Sequence, residues 1–333
     1  MLAPGRSAAA LAVPASPAPA GRGGSLSVLV LPSRLGSNAA MAPVYSFVLS
    51  ARTSVDMTMY ELRDARMVAD LVADQRRGVT VRVILDSNRE HSRNLEAFEA
   101  LQSGGVRVVW AGAGYEATHQ KTITVDGSRS LILTANLTSE YYTTTRDFGV
   151  FDSRPADVAS VEAVFNADFA HRAVTPPSGA DLLWSPGSQT EMLAVIDGAR
   201  HTLSIENEEM DDAAITNAIA AAAARGVKVD VVMTADSSYD TSLAEIVRAG
   251  GHVHLYSDDS WDLYIHAKTT IADVGRKTED VYVGSINFSS ASMNRNRELG
   301  IVTTSPDVVE AVNAVVSADF SDCSAATDCR SYA

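Results

Sequence analysis

The sequence predicts an α/β protein made of two similar halves that can pack about a pseudo-two-fold axis. Three observations lead there. The order of strand-like and helix-like segments repeats at a shift of about 148 residues over almost the whole chain. Within each copy, β-branched runs alternate with amphipathic stretches, the pattern of strands alternating with helices. An H-x-K-x4-D motif falls at the same place in each copy, as His119-Lys121-Asp126 and His266-Lys268-Asp273.

The elements follow in matching order. Ala51-Arg52-Thr53-Ser54-Val55 leads into VDMTMYEL, and Ala199-Arg200-His201-Thr202-Leu203 leads into LSIENEEM; both read as strands ending in acidic residues. An amphipathic helix comes next in each copy. Arg77-Gly78-Val79 then opens TVRVILD and Arg225-Gly226-Val227 opens KVDVVMT, each a helix stopped by glycine and followed by a strand. Gly104-Gly105-Val106 aligns with Gly250-Gly251-His252, and RDFGVF from Arg146 aligns with RELGIV from Arg297. Closing helices carry Asn166-Ala167-Asp168-Phe169 and Ser317-Ala318-Asp319-Phe320. The expected organisation is a disordered or signal-like segment over 1–24, an N-terminal half over 25–174, a breaker-rich linker over 175–180, a C-terminal half over 181–322 and a tail over 323–333.

Strand alternation puts His119 and Lys121 on one face, and His266 and Lys268 on one face of the second copy. A two-fold arrangement would gather two imidazoles and two ammonium groups around one anion, for which a phosphodiester is the natural guest. The chain has only four lysines, Lys121, Lys228, Lys268 and Lys277, and two of them occupy the equivalent motif positions. Lysine is a compact point charge, so its retention there in an arginine-rich chain points to a demand that a planar guanidinium does not meet. A single H-x-K reads most simply as an exposed polar strand face, but two copies in one duplicated frame reverse that reading.

Other residues surround this pair of motifs. Asp126 and Asp273 end their strands before glycine-containing segments and are expected to be structural turn acids. Thr134 and Asn136 in the first copy, with Ser285 and Asn287 in Gly284-Ser285-Ile286-Asn287, offer hydroxyls and amides to phosphoryl oxygens. Leu133 stands where the second copy has Gly284, so the two sides are expected to differ. Asp147 and Glu298 sit where a carboxylate can accept from a histidine Nδ1 and set its tautomer. His252 and His254 form an H-x-H that reads as an exposed strand face, and Glu206, Glu208 and Glu209 either line the cleft or meet solvent.

The bulk properties bound the function. A net charge of -14 weighs against a broad polyanion-binding surface while permitting a small basic pocket. The Ala/Pro/Gly-rich start, with Arg6 before a short apolar stretch, leaves export open, and Cys323 and Cys329 in the tail read as a local disulfide, with two free thiols as the alternative. No apolar run reaches the length of a membrane span. Location is therefore expected to be secreted or cell-envelope, otherwise cytoplasmic.

The paired motifs, the GSIN segment and the RELG segment resemble the phospholipase D superfamily in its bacterial single-chain, two-motif form, which includes cardiolipin synthase-like proteins. The resemblance covers about residues 25 to 322. It implies that each half is an α/β sandwich around a mixed sheet, with one shared active site at the interface. It implies no metal and no cofactor. One histidine attacks phosphorus, the other protonates the leaving alcohol, and water or another alcohol then releases the phosphoryl group. By position His119 resembles the nucleophile and His266 the acid-base partner. Lys121, Lys268, Asn136 and Asn287 would hold phosphate oxygens, and Asp147 and Glu298 would orient the histidines, each across the interface.

The expected function is that of a phospholipase D-type phosphodiesterase that hydrolyses, or transfers, the head group of glycerophospholipids. A nuclease of the same superfamily and a phosphodiester-binding protein without turnover are the alternatives. The expected partner is a phospholipid met by peripheral membrane contact, without nucleic acid, by a monomeric protein.

Overall fold

The computed structural model describes residues 24–32, 37, 39–258, 263–325 and 330–331. Of the signal-like segment expected over 1–24, only the last residue falls among them. Cys329 and the side chain of Cys323 also lie outside the described residues, and with them the expected disulfide.

Aspartates and glycines punctuate both halves alike. The first half runs β1 (Leu26–Leu31), α1 (Ala42–Leu49), β2 (Ser54–Met59), α2 (Ala65–Arg76), β3 (Thr80–Leu85), α3 (His91–Ser103) and β4 (Arg107–Trp110). It continues through β5 (Thr122–Val125), β6 (Arg129–Leu133), β7 (Thr145–Asp152) and α4 (Pro155–Phe169). The second runs β8 (Leu182–Ser185), α5 (Gln189–Gly198), β9 (Thr202–Glu206), α6 (Ala213–Ala224), β10 (Lys228–Thr234), α7 (Asp240–Arg248) and β11 (His252–Tyr256). It ends with β12 (Tyr264–Ile265), β13 (Thr269–Ala272), β14 (Asp280–Gly284), α8 (Ser290–Asn294), β15 (Glu298–Thr303), α9 (Pro306–Ala325) and β16 (Arg330–Ser331). Asp64 caps α2 by accepting from the Arg66 and Met67 amides, and Asp212 caps α6 through Ala214 and Ile215. Gly78 and Gly226 then turn the chain out of these helices at φ 95° and 87°.

Each half is a mixed sheet with helices on both faces. The orders are β1-β7-β6-β5-β2-β3-β4 and β16-β11-β10-β9-β13-β14-β15-β8. β2, β3 and β4 are parallel, as are β9, β10 and β11, and the motif strands β5 and β13 join antiparallel to β2 and β9. One register differs from the sequence alignment: Gly250, at φ 102°, occupies the place of Gly105, at φ 85°. Both leave a helix in the left-handed region that glycine favours, so β11 aligns one residue earlier than the Gly-Gly pairs suggest.

Apolar side chains from α1 to α3 pack on one face of the first sheet and those from α5 to α7 on one face of the second. A third buried cluster joins the halves, with Ile132, Phe148 and Val150 meeting Val281, Leu299, Ile301 and the valines of α9. Each such side chain removed from water contributes about 1.5–3 kcal/mol, so the junction is a core and not a loose domain contact. Among the described residues no helix is long and apolar enough to cross a membrane.

Candidate active site

The motif acids fasten the motif strands. Asp126 and Asp273 follow β5 and β13 in the left-handed region, at φ 55° and 53°. Asp126 accepts from the amides of Arg52, Thr53 and Ser54, and Asp273 from those of Arg200, His201 and Thr202. Each ties the far end of a motif strand to the start of its neighbour. Burial works against the charge of Asp273, but these donors and the Thr278 hydroxyl hold it down to about 2.

His119 and Lys121 precede β5, and His266 and Lys268 precede β13, in extended backbone that pairs with the opposite half. Thr118 bridges Arg297 in parallel, and Ile265 of β12 pairs with Arg146 of β7. Strand pairing between halves therefore sets each histidine beside the residue that follows the partner arginine. His119 Nδ1 lies 2.8 Å from Glu298 Oε2, and His266 Nδ1 lies 2.8 Å from Asp147 Oδ1. An ionised carboxylate only accepts, so each Nδ1 carries a proton and each Nε2 is left for chemistry.

Both acids are buried and themselves held. Asn296 Nδ2 donates to Glu298 Oε1 at 3.0 Å, and Thr134 Oγ1 donates to Asp147 Oδ1 at 2.5 Å. Burial, the largest single influence, would raise both carboxyls, but the histidine that each one meets, together with a nearby lysine and a hydroxyl, keeps them below the ordinary carboxylate range.

The lysines are buried beside the histidines. Lys121 Nζ donates to the His119 carbonyl at 2.6 Å and Lys268 Nζ to that of His266. Burial, reinforced by the charge of Lys268, brings Lys121 down to about 7. Burial likewise lowers His119, Glu298 opposes the change, and Lys121 and Lys268 add to it. The mutual influence of Lys121, Lys268 and His119 marks one electrostatic site fed by both halves.

The remaining residues divide. Asn287 is buried with Nδ2 3.5 Å from Glu208 Oε2, and the side-chain oxygens of Asn287 and Asn136 have no hydrogen-bond partner. Thr134 and Ser285, expected to face phosphoryl oxygens, are fully buried and committed elsewhere. The Thr134 hydroxyl serves Asp147 and the Phe148 amide, and that of Ser285 exchanges hydrogen bonds with the Leu299 backbone. Leu133 leaves the backbone of its turn unchanged, since Thr134 N donates to Phe148 O as Ser285 N donates to Leu299 O. Its side chain packs over Gly149, the space that the Tyr282 ring takes over Gly300 in the second half.

Two features escaped the sequence reading. Tyr60 stands edge-on to His119, ring centroids 4.5 Å apart, and lies beneath Lys121 Nζ at 4.9 Å. Glu208, one of three acids left undecided, meets Lys268 Nζ at 2.7 Å and His266 Nε2 at 3.6 Å. The signal was there, because a shift of 148 lays Tyr60 on Glu208. His252 and His254 take separate partners away from the site, Asp230 at 3.0 Å and the Phe320 carbonyl at 2.9 Å, and His254 is half-buried against the Phe320 ring.

A family model described as cardiolipin synthase, PLD-like domain, matches the chain twice, over residues 45–169 and 192–320. The crystal structure of phosphatidylserine synthase from Haemophilus influenzae Rd KW20 is similar at TM-score 0.67 and 11% identity, covering 92% of this chain and 87% of that one. Polyphosphate kinase from Porphyromonas gingivalis is similar at TM-score 0.65 and 15% identity, covering 89% of this chain and 50% of that one. The chain thus spans about half the length of the kinase. These likenesses are likenesses of fold. No curated protein gives a significant sequence match.

Proposed function

Because the chain belongs to the cardiolipin synthase, PLD-like domain family, we propose that it is a phospholipase D-type enzyme that cleaves phosphodiesters through a phosphohistidine, with glycerophospholipids as substrates. The observation that carries the reading is the crossed pairing of His119 with Glu298 and His266 with Asp147, which presents two oriented imidazoles beside two buried lysines.

In the first step Nε2 of His119 attacks phosphorus, the P–O bond to the leaving alcohol breaks, and His266 gives its Nε2 proton to that oxygen. Lys121 and Lys268 bind the non-bridging oxygens, with the amides of Asn136 and Asn287 in support. In the second step water, or a second alcohol, gives its proton to His266 and attacks phosphorus, and the N–P bond to His119 breaks. Hydrolysis and head-group transfer therefore share one intermediate and differ in the acceptor.

Charge favours lipid over nucleic acid. The chain carries -14 overall, and Glu208, Glu209, Asp211 and Asp236 gather about Tyr239 near the His266 side of the site. A polymer of phosphates would run against these acids, whereas a single diester at a membrane surface presents one charge to the lysines. The test is turnover of bis-p-nitrophenyl phosphate, then of phosphatidylcholine vesicles against single-stranded DNA, with product identification in water and in added alcohol. Phosphatidic acid or a transfer product is expected. Cleaved DNA with inert lipid would reject the lipid reading, and an inert chromogenic diester would reject phosphodiesterase chemistry.

A further inference from the structure

The two halves differ most sharply, beside their histidines, at one equivalent position just beyond the second sheet strand of each. Tyr60 comes directly after β2 and Glu208 one residue further on after β9, and two residues beyond each comes an equivalent bridge, Leu62 to Leu137 and Met210 to Phe288. Tyr60 turns its hydroxyl away to Glu90 Oε1 at 3.1 Å and offers His119 the edge or face of a ring. Glu208 turns inward. Its Oε2 is 2.7 Å from Lys268 Nζ, 3.5 Å from Asn287 Nδ2 and 3.6 Å from His266 Nε2, while Oε1 accepts from the Tyr264 hydroxyl at 3.2 Å.

His266 thus has a carboxylate toward each ring nitrogen, Asp147 at Nδ1 and Glu208 toward Nε2. His119 has Glu298 at Nδ1 and an aromatic ring at its side. With a carboxylate toward Nε2 as well as at Nδ1, His266 has an acceptor to meet a proton on each ring nitrogen, and a nitrogen that carries a proton can donate it but cannot attack phosphorus. A ring with one anion at Nδ1 and an apolar neighbour keeps Nε2 as a lone pair.

We propose that Glu208 is a positioning residue that sets the division of labour between the histidines, holding His266 as the acid and leaving His119, beside Tyr60, as the nucleophile. The inference rests on the phosphodiesterase reading above. Burial works against a charge on Glu208, yet His266 and Lys268 hold it far below the carboxylate range, so it stays an anion throughout. When the alcohol leaves, the proton on His266 Nε2 passes to its oxygen as the P–O bond breaks, and Glu208 neither gains nor loses one.

The lysines carry the same asymmetry. Lysine has three N–H donors. Lys268 directs them to the His266 carbonyl and to Glu208, leaving one for a phosphoryl oxygen, whereas Lys121 directs one to the His119 carbonyl. The diester is drawn toward Lys121, and so toward His119.

Leaving-group dependence tests this. A p-nitrophenolate departs without a proton and an alkoxide does not, so loss of the acid falls on alkyl leaving groups. The measurement is the ratio of kcat/KM for dihexanoylphosphatidylcholine to that for bis-p-nitrophenyl phosphate, with thymidylyl-thymidine as the alkyl diester if the lipid is inert. Glu208→Gln is expected to lower the ratio about 100-fold. Tyr264→Phe, which removes the hydroxyl that orients Glu208, is expected to lower it by a smaller factor. An unchanged ratio in both variants, however large the common loss, overturns the role of Glu208 and leaves the phosphodiesterase reading standing. A wild-type protein inert on all three diesters overturns both.

Discussion

Arg297 and Asp168 belong to different halves and meet in the interior, Nε 2.9 Å from Oδ2, and Arg146 and Asp319 form the reverse pair at 2.5 Å. The two links are equivalent by the repeat but not in their surroundings. Asp168→Ala strands the fully buried Arg297 guanidinium and should cost about 3–5 kcal/mol. Asp319→Ala should cost less. Glu206, buried beside Arg146, is held well above the carboxylate range by burial and then by Asp319, and removal of Asp319 relieves the repulsion between the two acids while leaving Glu206 beside the arginine. Urea unfolding of the two variants measures the difference; equal losses would contradict it.

For the histidines, His119→Asn and His266→Asn are each expected to abolish turnover of an alkyl diester. After rapid quenching and peptide mapping, phosphate should be found on His119 of the wild type. Phosphate trapped on His266 and never on His119 would reverse the roles. EDTA should leave the rate unchanged, because the proposed chemistry draws its positive charge from lysine, and loss of activity in chelator would count against it.

The crossed acids act through the rings they orient. Asp147→Asn and Glu298→Gln keep shape but can donate where they must accept, which favours the wrong tautomer. By analogy with the Asp of a serine-protease triad, kcat should fall about 10³–10⁴-fold. KM should change little. A variant with raised KM and normal kcat would place the acid in substrate binding.

With bis-p-nitrophenyl phosphate, whose leaving group needs no proton from His266, Lys121 gives the pH profile its upper limb. Burial and Lys268 bring it down to about 7, so above that pH it loses the proton that attracts the diester, and kcat/KM should fall about tenfold per pH unit. Bound diester raises Lys121 again, so kcat at saturation should hold to higher pH. His119 is lowered by burial and stays neutral in mild acid, which sets the lower limb below an ordinary histidine. Lys121→Arg should push the upper limb beyond about pH 9, since a guanidinium does not lose its proton there.

The duplicated order of elements, the two motifs and the acids at Asp147 and Glu298 were readable because period, spacing and self-alignment are properties of sequence. Which histidine each acid serves came from the family resemblance and not from the residues themselves, since it depends on Thr118 reaching Arg297 and Ile265 reaching Arg146. The hydroxyls of Thr134 and Ser285 were misplaced because a residue type says what it can bond and not which way it turns. Glu208 was visible, but as a strand-end acid. Only its distance from His266 separates it from its neighbours, and Glu206 points into the interior instead.

Two identical chains meeting on a two-fold axis would have one gene for both sides of the cleft, so any change beside one histidine would appear beside the other. Tyr60 and Glu208 could not then coexist in equivalent places. Joined in one chain, the copies are inherited together but mutate separately, and selection can keep an aromatic on one side and an acid on the other. Covalent linkage, more than the motif it repeats, is what allows this site to specialise.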